Sequence, residues 1–175
     1  KLKEKEKFKA NGFDYEAGVS LVNKTIKKAQ FSKEIKFGDA MSSVHWILFS
    51  CVTMLSDKPK NILEIGTYDG KFTRLLSYLF PNSKITTIDL PDDDPILKNS
   101  YSRNIKSVYE NFVKEQKYNT SLKNVDFIKI NSFFLPEKLE HNKFDLIWVD
   151  GGHNFPEVAW DRDHVSCIRR RARGQ

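Results

Sequence analysis

Four short stretches hold residues whose types and spacing could do chemistry. Glu64-Ile65-Gly66-Thr67-Tyr68-Asp69-Gly70 sets an acid and two glycines at the end of an apolar run. Asp89 closes a second apolar run, Asn131-Ser132 a third, and Asp150-Gly151-Gly152-His153 a fourth. Glycine at 66 would let backbone approach a ligand closely, and Gly70 would open a helix. The loop is no dinucleotide fingerprint: counted from Gly66, Tyr68 stands where a pyrophosphate needs the second glycine, and Lys71 stands at the third. Nor is it a Walker loop, because no Gly-Lys-Ser/Thr follows. Asp89 comes 19 residues after Gly70. That is where an acid accepts hydrogen bonds from two ribose hydroxyls, a role to weigh against a solvated Asp leading into the acidic run 92–94. Asp150 and His153 could hold a metal or move a proton, since a histidine titrates near neutrality. They could also be an ordinary turn with His153 capping the next helix.

The surrounding pattern says what positions these groups. NILEIG (61–66), KITTIDL (84–90), VDFIKIN (125–131) and FDLIWVD (144–150) read as strands. Val44, Ile47, Leu48, Cys51, Val52 and Leu55 share one helix face ahead of the first strand, and Pro59 stops that helix. Phe72, Leu75, Leu76 and Leu79 mark a second helix, ended before Pro81. Residues 96–117 predict one longer helix with Ile105, Val108, Phe112 and Val113 on its apolar side. Residues 13–38 predict a short helix and a loop, and a helix resumes near Pro156. Strand and helix alternate as in a parallel α/β sheet with right-handed crossovers. The near-continuous apolar strands fit helices on both faces. Such sheets bind ligands outside the carboxyl ends of their strands, where all four stretches fall.

A chain of 175 residues allows one domain with a real core, and 39% hydrophobic residues place it with globular proteins. No apolar run reaches the ~18 residues of a membrane span. Cys51 and Cys167 are the two cysteines, and neither has a zinc-site neighbour, so a reduced, cytoplasmic protein is expected. The net charge of +6 sits at the ends. Residues 1–9 carry five Lys against two Glu, and residues 162–175 carry five Arg against one Asp. Charge confined to two ends reads as solvated extension, and no nucleic-acid motif accompanies it. The organisation is therefore an extension over 1–41, a Rossmann-like cofactor-binding domain over 42–161, and an atypical basic tail over 162–175. Lys1 in place of Met points to residues lost upstream. VSCI (165–168) is too short for a fifth strand, which points to missing C-terminal strands.

ILEIGTYDGKFT, followed by TTIDL and FDLIWVDGGHNFPEV, resembles the class I S-adenosylmethionine-dependent methyltransferases. Within them the chain is similar to small-molecule O-methyltransferases whose fourth strand ends in an Asp-Gly-x-His segment. The likeness spans roughly residues 40–161. It implies S-adenosylmethionine as cofactor, with Glu64, Gly66 and Gly70 against its methionine part and Thr67 and Tyr68 beside them. By the same likeness Asp89 would hold the ribose hydroxyls, and Asn131 and Ser132 would lie near the adenine. Asp150 would face the methyl group and a small-molecule acceptor, with His153 as candidate base. In metal-assisted relatives an acid at the Asp150 position binds Mg²⁺, but the further ligands from a fifth strand have no counterpart here. An uncovered sheet edge would favour a homodimer. The rival reading is a non-catalytic methyltransferase-fold module acting through dimerisation or protein binding. His45 is expected to be structural, His141 a loop residue and Trp148 a core residue.

Overall fold

The computed structural model describes residues 2–31, 44–139, 143–152 and 161. Strands β1 (Asn61–Ile65), β2 (Lys84–Asp89), β3 (Val125–Lys129) and β4 (Leu146–Val149) lie where the apolar runs predict them. They form one parallel sheet in the order β3-β2-β1-β4. The chain winds outward from β1 through β2 to β3, then returns to place β4 on β1's other side. The winding direction therefore reverses between β1 and β4, the crevice at which open α/β sheets take ligands. Register aligns Ile65 with Ile88 and with Val149, so the loops after β1, β2 and β4 leave the sheet side by side.

Side-chain alternation divides the core between two faces. Ile62 and Ile85 join Trp46, Phe72, Leu75 and Leu76 on one, with Trp148 packed against them. Leu63, Ile65 and Ile88 join Leu135, Leu139 and Phe144 on the other. The first face is covered by α2 (Tyr15–Ala29), α3 (Val44–Val52) and α4 (Lys71–Leu79), the second by α7 (Leu135–Leu139). This is the Rossmann-like α/β architecture expected from the strand pattern.

The helices depart from expectation in four places, each for a packing reason. Ahead of α2 lies α1 (Leu2–Ala10), in a segment that reads as solvated charge; Phe8 anchors it in the main core. Asp14 caps α2, accepting from the Ala17 N–H at 3.0 Å. Helix α3 is shorter than predicted and buries a wider face. Ile47 and Cys51 are inside as expected, with Leu48 and Val52 packed against the core, but so are Trp46 and Phe49, whereas Val44 and Leu55 are exposed. It lies between α2 and the sheet, so an apolar stripe chosen for one interface misjudges it. Residues 96–117 are not one helix but α5 (Pro95–Asn99), a 3-10 turn (Ser100–Ser102) and α6 (Lys106–Thr120). Tyr101 and Ser102 adopt φ of 53° and 59°, which breaks the helix. The expected apolar stripe holds only at Phe112, which is buried, and Val113, which is half-buried. Ile105 is 52% exposed and Val108 is exposed, while Glu115, Gln116, Asn119 and Thr120 are buried. Finally, the linker after β3 forms a 3-10 turn (Ser132–Phe134) and α7.

Among the described residues no helix is long and apolar enough to cross a membrane. The helix expected near Pro156, His141, His153, Trp160 and the basic tail lie outside the described residues.

Candidate active site

The carboxyl ends of β1, β2 and β4 meet in one crest, and the backbone there is tied together from strand to strand. The Gly66 and Thr67 N–H groups both donate to the Ile88 carbonyl, at 2.9 and 3.1 Å. The Asp150 N–H donates to the Ile65 carbonyl at 2.8 Å. Gly66 has φ of +100°, and a Cβ built on it would lie 2.2 Å from the Asp150 carbonyl oxygen. Glycine is required there by the close approach of the β4 loop, so its first duty is backbone packing rather than ligand clearance. Gly70, at φ +75°, is the N-cap of α4 as expected. Its Cβ position is filled by Asn119 and Thr120 of α6, at 2.9 and 3.1 Å.

Glu64 lies below this crest, 1% exposed. Thr73 of α4 and Thr87 of β2 donate their hydroxyls to its Oε2 at 2.5 and 2.6 Å. Thr87 also meets the Thr67 hydroxyl at 2.6 Å, so a chain of hydroxyls links Glu64 to the loop. Burial pushes the Glu64 carboxyl up to about 8, against the lowering pull of both hydroxyls. The Asp150 and Asp89 charges raise it further. Glu64 is therefore chiefly neutral at pH 7.

Asp89 ends β2 at the rim. The Leu90 N–H donates to its Oδ1, and the Tyr68 N–H donates to its Oδ2, both at 2.8 Å. Its pKa lies above the usual carboxylate value through burial, with those two backbone bonds opposing the rise. Tyr68 holds φ of 49°, and its ring packs against Tyr101 and Phe112 at 5.3 and 5.7 Å between centroids. Thr67 is buried. Asn131 and Ser132 follow β3; the Asn131 side chain caps the 3-10 turn, accepting from the Phe133 N–H at 3.0 Å. Asp150 is exposed at the end of β4.

His45 packs within the aromatic cluster of the core. Its ring stacks on Trp148 at 4.8 Å and meets Phe72 edge-on at 4.5 Å. Burial lowers its pKa, and the Asp150 charge opposes that drop, so α3 brings a neutral imidazole to the β4 side of the crest.

Several supporting residues escape sequence reasoning. Gln116 of α6 donates to the Tyr68 carbonyl at 2.8 Å and reaches Asp89 Oδ2 at 3.4 Å. Asn119 donates to the Asp69 carbonyl at 2.8 Å. Arg103 stacks on Phe112 and Tyr101 outside the loop, at 4.6 and 5.3 Å. A polar stripe at helical spacing is the only trace Gln116 and Asn119 leave in the sequence, and a solvated face looks the same.

Two cavities lie elsewhere. A cavity of about 470 Å³ opens at the amino ends of β2 and β3, by Lys84 and Asp126, away from the crest. One of about 140 Å³ lies behind Tyr68, against Arg103 and Phe112. Neither contains Asp150, and the convergence of the strand ends is the better guide to chemistry. Among the described residues no three His, Cys, Asp or Glu side chains converge as a metal site requires. Among the described residues, the Mg²⁺ that the resemblance allows at Asp150 has no such cluster to hold it.

A parallel sheet reversing direction between β1 and β4, with an acid after β2 and a glycine-bearing turn after β1, defines a Rossmann-like nucleoside-cofactor fold. The chain belongs to the methyltransferase domain family, whose model matches residues 63–172. Among solved structures it is similar to an S-adenosylhomocysteine-bound methyltransferase of Podospora anserina, at 22% identity and a TM-score of 0.49 over 87% of this chain and 56% of that one. A Staphylococcus aureus protein described as a candidate caffeoyl-CoA O-methyltransferase matches at 14% identity and a TM-score of 0.51, over 97% of this chain and 69% of that one. A SAM-dependent methyltransferase of Agrobacterium tumefaciens gives 14% and 0.51, over 73% of this chain and 40% of that one. The last two support the fold. The chain spans less than two thirds of the Podospora and Agrobacterium proteins. No curated protein matches it in sequence.

Proposed function

We propose that this chain forms the S-adenosylmethionine-binding part of a methyltransferase whose acceptor is a hydroxyl group of a small molecule. The observation that carries the proposal is the crest at the β1/β4 reversal, with Asp89 on one flank and Asp150 on the other. The residues present suit that cofactor. A carboxylate offers about four lone-pair sites. Two backbone N–H groups and one long contact from Gln116 leave Asp89 capacity for a ribose diol. The missing pyrophosphate glycine agrees with a cofactor that carries no phosphate. The family match and the Asp-Gly-Gly-His segment's resemblance to O-methyltransferases support the reaction class.

When bound, the cofactor supplies a sulfonium methyl group for in-line displacement, breaking one S–C bond as one O–C bond forms. The protein's share is then chiefly orientation. Asp89 fixes the ribose, the Gly66–Gly70 turn fixes the opposite end, and Asp150 borders the acceptor. The acceptor hydroxyl must lose its proton, and His153, three residues beyond Asp150, is proposed as the base that takes it.

Calorimetric titration with S-adenosylhomocysteine tests the reading. One-to-one binding is expected, weakened at least about tenfold in Asp89→Ala, the loss of roughly 1.4 kcal/mol that a charged hydrogen bond commonly supplies. Folded protein that binds nothing at millimolar ligand would overturn the cofactor assignment and favour a non-catalytic module.

A further inference from the structure

Beneath the crest, Glu64 of β1 lies within electrostatic reach of two acids at the neighbouring strand ends, Asp89 of β2 and Asp150 after β4. Among the described residues, the charges acting on Glu64 are these two acids, both repelling its ionised form. Its described partners are neutral hydroxyls, Thr73 from α4 and Thr87 from β2. From α3 the titratable group on this side is His45, stacked on Trp148, the β4 register partner of Glu64. A buried carboxyl in such company keeps its proton until a positive charge arrives to balance it.

Resting on the cofactor reading above, we propose that Glu64 is a specificity-determining residue that releases its proton when the cationic methyl donor binds, so that the site favours S-adenosylmethionine over its uncharged-sulfur product. The step balances simply. The Glu64 carboxyl becomes a carboxylate, one proton passes to solvent, and the sulfonium ligand supplies the compensating charge. The hydroxyls of Thr87 and Thr67 lead from Glu64 toward the loop and offer the proton a route. S-adenosylhomocysteine, a thioether, offers no such charge at sulfur and leaves Glu64 protonated. The methyl transfer itself thus removes the charge that held Glu64 ionised, and reprotonation favours product release.

The sign of the linkage follows. Donor binding that releases a proton strengthens as pH rises, by up to about tenfold per pH unit, until the empty site itself ionises. Product binding lacks this slope. Groups common to both ligands, the α-amino group among them, titrate alike in wild type and in Glu64→Gln, which retains an acceptor for both threonines.

The test is calorimetry with S-adenosylmethionine and S-adenosylhomocysteine at pH 6.5 and 8.0, each in phosphate and in Tris, whose ionisation enthalpies differ. Proton release should be greater for the donor by up to one proton. The ratio of product Kd to donor Kd should rise at least about fivefold between the two pH values and stay flat in Glu64→Gln. Equal proton release for the two ligands in wild type would overturn the proposal, even if the variant failed to fold. So would a pH slope that Glu64→Gln retains. Failure of both ligands to bind would instead overturn the cofactor reading on which it rests.

Discussion

Replacing Gly66 by alanine separates two duties that a glycine in this position could have. The added Cβ would sit 2.2 Å from the Asp150 carbonyl oxygen, 2.6 Å from its carbonyl carbon and 2.9 Å from the Gly151 nitrogen. All three atoms are backbone, so no side-chain rotation relieves the overlap. At φ +100° an L-residue is also strained, by about 1–3 kcal/mol. Pushing the β4 loop away costs a further ~1–3 kcal/mol of overpacking. It also endangers the Asp150 N–H to Ile65 bond, worth about 1 kcal/mol. The expected loss is about 3–7 kcal/mol, against the roughly 5–15 kcal/mol that holds a domain folded. Urea unfolding followed by circular dichroism measures it, with Gly70→Ala as comparison. At Gly70 the φ of +75° brings a comparable strain, but the obstructing atoms nearest the new Cβ are side-chain atoms of Asn119 and Thr120, at 2.9 and 3.1 Å, which can shift. The loss there should be about 2–4 kcal/mol. If Gly66→Ala unfolded within about 1 kcal/mol of wild type while losing S-adenosylhomocysteine binding, the packing account would be refuted. Ligand clearance would then be the residue's true role.

Two further outcomes follow from the buried polar groups. Glu64 is displaced from 4.5 to about 8 by burial, and a group whose folded pKa is raised contributes most below its unfolded pKa. Relative to Glu64→Gln, wild type should therefore lose stability from about pH 4.5 upward and level off above pH 8. At about 1.4 kcal/mol per unit the full difference is on the order of 5 kcal/mol. Urea midpoints of the two proteins that ran parallel from pH 5 to 9 would show that Glu64 ionises freely. Gln116→Leu, which keeps bulk but removes the bonds to the Tyr68 carbonyl and Asp89, should weaken S-adenosylhomocysteine about three- to thirtyfold by calorimetry. Gln116→Glu, which lacks the donor, should not restore binding.

What the sequence made legible was whatever depends on one face of one element. The central strands β1 and β2 could be read because both of their faces are buried, which favours a near-continuous apolar run. Strands β3 and β4, at the sheet edges, are only partly buried and are legible from their β-branched and aromatic residues. Helix α4 could be read because Phe72, Leu75, Leu76 and Leu79 all enter one hydrophobic cluster at helical spacing. Reading failed where an element serves two neighbours or supports a loop. Helix α3 is enclosed by α2 and the sheet, so its apolar residues overflow one stripe. The 96–117 segment breaks at Tyr101 and Ser102, neither of them a glycine or proline, and local propensity gives no warning. In the site, the position of Asp89 at the end of β2 could be read from the apolar run it closes. The closeness of Gly66 to Asp150 could not, because it depends on which strand lies beside β1.

Helix α6 shows why a buried polar face can be the firmer sign of function. Tyr68 holds a left-handed backbone that costs a non-glycine residue roughly 1–2 kcal/mol. Such strain persists only where the surroundings over-determine it. Here they do so from three directions: the Tyr68 N–H is held by Asp89, its carbonyl by Gln116, and its ring by Tyr101 and Phe112. Asn119 holds the next carbonyl. An apolar face on α6 would have buried more hydrophobic surface yet left those carbonyls without donors. Each unpaired buried carbonyl costs about 1–3 kcal/mol. The polar face therefore keeps the turn in one shape before any ligand arrives, and that shape presents Asp89 to the crest. Pre-organisation of this kind lowers the ordering cost of binding, which is why the residues that secure the loop lie behind it, on a helix that faces away from the chemistry.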